Sequence, residues 1–248
     1  MGKLVLTNVT AQYGGVDVSG QSNSIEVNAT VASEVSTNFA SQGWEELQGG
    51  ILAFKKFMLK GFWDANAVVG PGEPDQGFFN DLGQLVLVSA SVTRPQAQGD
   101  LAYFGQTMEM TYQMTNQVGK LAGFQIDGSG SGKLVRGQVL DPSTQTVTGT
   151  GTGVTLPAVT AGQTVYAGIH VTAESGTASP SLVMLVQSDA TGDAWASPTT
   201  RFTFPTFNAY GWAFMSLAGP ITDTGWRTKY TITGNMPSFT YAVLLGVA

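Results

Sequence analysis

One histidine, no cysteine and 17 acids bound the chemistry open to this 248-residue chain. A serine–histidine–carboxylate triad would have to use His170, because activating a hydroxyl for attack needs the imidazole as base. No G-x-S-x-G elbow is there to supply the nucleophile. Zinc held by cysteines or by several histidines is excluded by the same counts. His170 therefore reads as an ordinary strand histidine. Gly128-Ser129-Gly130-Ser131-Gly132-Lys133 imitates a phosphate-binding loop, but Asp127 stands where its first glycine is needed and Leu134 where magnesium needs a hydroxyl. A strand-like run over 134–140 follows, in place of the helix whose N-terminus would hold the phosphate. Asp189 with Asp193, and Glu45 with Glu46, are nominal carboxylate pairs for glycoside hydrolysis, which needs its two carboxyls set apart in a cleft. Seventeen acids produce such pairs by chance. No D-x-[DN]-x-[DN]-G calcium run occurs. The five tryptophans (Trp44, Trp63, Trp195, Trp212 and Trp226) suit a sugar-stacking module if exposed and a sandwich core if buried. The residues point to no enzyme, no metal and no cofactor.

The elements carrying these side chains are β-strands. Residues 107–114 alternate polar and apolar, placing Met108, Met110, Tyr112 and Met114 on one sheet face. Ile25, Val27, Ala29 and Val31 alternate likewise, with Glu26, Asn28 and Thr30 facing out. Further strands are expected over 85–92, 165–171, 182–186, 201–204, 229–233 and 239–244, each β-branched or aromatic and bounded by turn residues. One short helix is expected over 75–82, capped by Asp75 and stopped by Gly83. Residues 34–47 lack a 3.6-residue period and read as a long loop or hairpin. The Thr/Gly-rich segment 143–154 reads as a linker, or as an edge strand. It divides a β-sandwich-like domain over 1–142 from a second β-sandwich over 155–248. A faint echo, Gly105-Gln106-Thr107-Met108 against Gly162-Gln163-Thr164-Val165, suggests two strands opening alike.

Charge narrows the role. Charged residues make up 11% of the chain and the net charge is −6, against ~25% charged in ordinary soluble domains. A nucleic-acid binder would show a basic patch. So few charges suit a molecule whose surface is covered by copies of itself. The N-terminus shows no signal-peptide pattern, and no apolar run reaches the ~18 residues of a membrane helix.

One stretch resembles a known family. A strand over 25–31 leads through the loop 36–42 to Gly43-Trp44-Glu45-Glu46-Leu47-Gln48-Gly49-Gly50. The strand 54–59 and Gly61-Phe62-Trp63-Asp64 follow. This order is similar to the major tail tube proteins of long-tailed bacteriophages, where a Gly-Trp turn with an acid and a Pro-Gly precedes a strand closing on G-x-x-D. Gln48-Gly49 replaces the Pro-Gly. Residues 78–83 resemble the short helix packed on the tube sandwich, and 99–104 and 118–126 resemble later strands. The likeness covers about residues 5–140.

The resemblance implies a virion structural protein, assembled in the host cytoplasm, whose rings stack into the hollow conduit for DNA ejection. Its partners would be itself, in hexameric or pseudo-hexameric trimeric rings, and other tail proteins. DNA would pass through without specific binding, and no membrane would be involved. A negative lumen would repel the phosphates. Residues 33–61 would join rings: Gly43, Gly49 and Gly50 for the turns, Phe39, Trp44 and Phe54 as apolar anchors, and Lys55, Lys56 and Lys60 facing acids of the next ring. The alternatives are a capsid decoration protein and a carbohydrate-binding β-sandwich.

Overall fold

The computed structural model describes residues 8–35, 47–63, 74–190 and 195–248. These form thirteen strands and one helix. β1 (Thr10–Tyr13) and β2 (Val16–Asp17) make a tight hairpin, and β3 (Ser22–Val35) and β4 (Leu47–Phe62) a long one. After α1 (Pro74–Asn80) come β5 (Leu85–Ser91), β6 (Leu101–Thr115) and β7 (Gly123–Gln145). β8 (Gly149–Thr150) and β9 (Val154–Thr155) are short. β10 (Thr164–Asp189), β11 (Thr199–Thr203), β12 (Gly211–Ala218) and β13 (Gly225–Val247) complete the chain. The protein is mainly β, as its alternating sequence requires. All ladders are antiparallel, in one connected sheet running β11-β10-β13-β7-β6-β5-β1-β2, with the β3–β4 hairpin joined to β7.

The second half folds that sheet over itself. β10 and β13 pair from Val165↔Val247 to Asp189↔Gly225, with register breaks between residues 171 and 181. A straight strand would hold Tyr230 and Tyr241 roughly 36 Å apart, yet their ring centroids lie 5.9 Å apart. The ribbon therefore bends back near 176–181 and 234–237. Val165, Ile169 and Val171 of one arm then share a core with Leu182, Met184 and Val186 of the other. The expected strands 165–171 and 182–186 are two arms of one element, as are 229–233 and 239–244. The result is a β-sandwich.

In the first half a separate core gathers Phe57, Leu59, Phe124 and Ile126 from β4 and β7, Val86 and Val88 from β5, and Phe78 from α1. The helix is held by Phe78, whose ring packs on Tyr13, Tyr112 and Phe124 at 5.1–5.8 Å. Asp75, expected as a cap, instead accepts hydrogen bonds from the Trp63 indole and the Tyr112 hydroxyl. Gly130 lies against the Phe54 ring and backbone, where any Cβ would overlap. The Gly/Ser run of β7 thus serves close packing, and no phosphate loop forms.

The segment 143–154 is not a free tether. Ser143, Thr144 and Gln145 pair with β13, and β8 and β9 extend the other arm of β13. Thr and Gly suit this thin edge cover, since Gly151 has no room for a Cβ between Thr228 and Asp141. A third cluster (Leu87, Ala102, Phe104, Val135, Val139 and Leu244) bridges the two cores. The Gly105/Gly162 echo has no structural counterpart: Gly105 lies inside β6 at a register break, while Gly162 precedes β10.

Candidate assembly surfaces

Several buried polar groups serve the fold. His170 lies wholly inside, and its Nδ1 accepts the Gly15 amide at 3.2 Å. The accepting nitrogen carries no proton, so Nε2 holds it. Burial lowers the imidazole pKa to about 3, which keeps it neutral. Gly15 sits at φ +87°, against the Gly211 backbone, so this contact clamps the β1–β2 turn onto the second half. Asp141 is buried and accepts hydroxyls from Thr228, Ser143 and Tyr241. Glu109, on β6, points inward and accepts the Tyr13 hydroxyl, while its Oε1 has no partner. Burial pushes its pKa up to about 7, Tyr13 opposing and the Asp81 charge adding. Asp189 is buried in β10; Asp193, Glu45 and Glu46 lie outside the described residues. Among the described residues no cluster suits a metal, and no helix is long and apolar enough to cross a membrane.

None of the described tryptophans is fully exposed. Trp226 is buried, Trp63 and Trp212 pack on the first core, and Trp195 lies under the Arg227 guanidinium at 4.2 Å. Trp44 lies outside the described residues, as do Phe39 and Gly43 of the expected ring-joining set. Gly49 and Gly50, expected in a turn, belong to β4, Gly49 opposite Ser33. Phe54, expected as an exposed anchor, is buried against Gly105 and Gly130. Lys55 and Lys60 are exposed. Lys56 is engaged within its own chain, 3.3 Å from Glu26 and 3.3 Å from Asp127, and these hydrogen bonds, Glu26 first, raise its pKa.

Four strands of the first half, in the order β3-β4-β7-β6, form an open sheet. Phe57, Leu59, Phe124 and Ile126 turn one face to the core. By alternation Glu26, Lys56, Lys60, Gln125, Asp127 and Gln113 lie on the other face. Both edges are free among the described residues. β3 pairs with β4 alone, along 14 residues. β5 leaves β6 at Leu85↔Met108, so 110–115 bond only to β7. A bulge between Glu109 and Thr111 marks that point. It shifts the strand's phase: Met108 and Met110 face solvent while Tyr112 turns in toward Phe78. The four residues expected on one face are therefore split.

Apolar surface gathers in the same half. Of the large hydrophobic side chains exposed among the described residues, all but Val147, Tyr210 and Met236 precede residue 122. Val31 (54% exposed) and Leu52 (67%) are direct partners on the β3–β4 hairpin, beyond the last core residue Phe54. Phe62, Met114, Val118 and Leu121 are exposed at the other end of the sheet. Sequence reasoning missed these residues; the alternation was visible, but not which face the core takes.

No family model matches the chain, and no curated protein does. Solved structures similar to this chain include the following two. One is a protein of the virion of a native gene transfer agent particle, 15% identical over 54% of this chain and 98% of its own, with a TM-score of 0.39. The other is the SPP1 Dit protein, described as a paradigm of the hub adsorption apparatus of phages infecting Gram-positive bacteria. It is 11% identical over 97% of this chain and 99% of its own, with a TM-score of 0.35.

Proposed function

We propose that this protein is a virion structural subunit, a phage tail tube protein, whose copies join edge to edge into rings. The resemblance of residues 5–140 to that family motivates the reading, and one observation carries it: a four-stranded sheet whose two edges are free among the described residues. An unpaired 14-residue edge without proline or lysine invites strand addition. Pairing 110–115 of one copy with part of β3 of the next uses both edges and repeats around a ring. Because one sheet face is packed on the subunit's own core, the polar face lines the lumen.

Barrel geometry then favours six copies. With strands ~4.8 Å apart and tilted by about 40°, three copies would close a barrel roughly 24 Å across between backbones and six copies one of roughly 48 Å. Side chains reach inward by about 5 Å from each wall, so only the larger ring admits a DNA duplex. The second half, with little exposed apolar surface, stands outside the wall as a rigid appendage.

The lumen face is charge-balanced. Glu26 and Asp127 offset Lys56 and Lys60, so DNA would meet paired charges rather than a repulsive acidic wall. The test is negative-stain microscopy of the purified protein at rising concentration. Hollow striated tubes are expected. Closed particles of one small size that bind capsids would favour a decoration protein, and tryptophan fluorescence quenched by sugars would favour a glycan-binding module.

A further inference from the structure

Seven residues are too few for a helix to hold its shape unaided in water, so α1 depends on its ties to the sheet. Phe78 is buried in the first core, and Asp75 accepts the Trp63 indole at 2.8 Å and the Tyr112 hydroxyl. A further tie meets the Glu109 backbone. Its carbonyl accepts the Gly83 amide at 3.0 Å, and its amide donates to the Gln84 carbonyl at 3.3 Å. The outer side of this segment, with Phe79 and Leu82, is exposed. The Glu109 side chain is only 1% exposed; it accepts the Tyr13 hydroxyl, and its Oε1 has no partner. Tyr13 links that carboxyl to the helix, because its ring packs edge-on against Phe78 at 5.1 Å. Asp81, on the turn, and Tyr112, on β6, are the other titratable groups whose charges couple to Glu109. β5 carries none, and β7 places Gly128 opposite Glu109.

We propose that α1 with the turn 81–84 is a latch, closed while Glu109 is protonated and released when it ionises. A carboxylate kept inside with a single donor leaves an oxygen without hydrogen bonds, which is costly. Lifting the turn returns Glu109 and the half-buried Asp81 to water together, while the strands beneath stay paired. Burial raises the pKa of both carboxyls, that of Glu109 to about 7 against an ordinary 4.5. The closed state therefore holds the extra proton. Its advantage is lost as pH rises from 4.5 to 7 and changes no further above that. Release uncovers the apolar seat of Phe78 on Tyr112 and Phe124. The latch is a property of the single chain and does not depend on the tube reading.

Amide hydrogen exchange tests this, followed residue by residue by NMR at pH 5 and pH 8 and divided by the intrinsic rate at each pH. The amides of Asp81, Gly83 and Glu109 make the hydrogen bonds that hold the latch closed. Their protection is expected to fall roughly 70-fold between the two pH values through Glu109 alone. At pH 8 they should exchange faster than the amides of Leu59 and Ile126 in the core beneath. Glu109→Gln should remove most of the fall, leaving the share of Asp81. Tyr13→Phe takes away the donor that favours the charged form, so its fall should continue to higher pH than in the parent. A parent without the fall, a Glu109→Gln chain that falls as far as the parent, or a Tyr13→Phe chain that levels where the parent does would overturn the latch. So would latch amides that exchange no faster than Leu59 and Ile126, since the proton would then act on the whole fold.

Discussion

Glu109 shows how a single carboxyl ties the fold to pH. Its neutral form is favoured inside, so burial raises its pKa to about 7, above the ordinary glutamate value of 4.5. Between those values the unfolded chain ionises while the folded chain does not, and stability falls as pH rises through the window. Glu109→Gln keeps an acceptor for the Tyr13 hydroxyl and removes the titration. It is expected to match the parent near pH 4 and to exceed it by roughly 2–3 kcal/mol at pH 8, read by urea melts at both pH values. His170 offers the contrasting case. Neutral throughout, it contributes through the Gly15 amide it accepts, and Gly15→Ala forces a Cβ into the Gly211 backbone at a left-handed φ. A loss of roughly 2–4 kcal/mol is expected for that change. The sequence marked His170 as a strand residue, and its place in a strand was legible. Its partner lies 155 residues away, beyond the reach of any local pattern.

At the scale of elements, β5 was legible as an apolar, β-branched run bounded by turn residues, buried on both faces. What alternation alone leaves open is the inward face. Residues 107–114 read as a methionine face, yet Thr107 and Glu109 point inward and Met108 and Met110 outward, and the bulge after Glu109 reverses the phase for Tyr112. Bulges also hid the continuity of β10 and β13, since each arm reads as its own strand. The lysines at 55, 56 and 60 read as one basic group for a neighbouring ring, whereas the β3–β4–β7 register gives Lys56 to Glu26 and Asp127 of its own chain. The hairpin was legible as a projection, and its apolar pair emerges only from the register Val31↔Leu52. Val31→Lys with Leu52→Lys, both on exposed positions, is expected to leave melting within about 0.5 kcal/mol of the parent while abolishing tubes in negative stain.

For the whole molecule, low charge, free sheet edges and one-sided apolar surface converge on assembly through the first half. The two cores, the bridging cluster and the Gly15–His170 clamp make the second half an attached body, which the proposed ring would carry on its outside. The proposed lumen face should be indifferent to DNA because Glu26 and Asp127 hold Lys56 and match the two lysines of that face in number. Glu26→Gln with Asp127→Asn frees Lys56, and assembled tubes of that variant are expected to retain duplex DNA on sedimentation at low salt and release it as salt rises, whereas parent tubes retain none. The measurement that bears most directly on the tube account is electron cryomicroscopy of the assembled protein, resolved well enough to trace strands around one ring. Six copies, with β3 of each hydrogen-bonded to 110–115 of the next in a continuous barrel, are expected. A ring in which either edge faces solvent, or in which three copies close the wall, would contradict it.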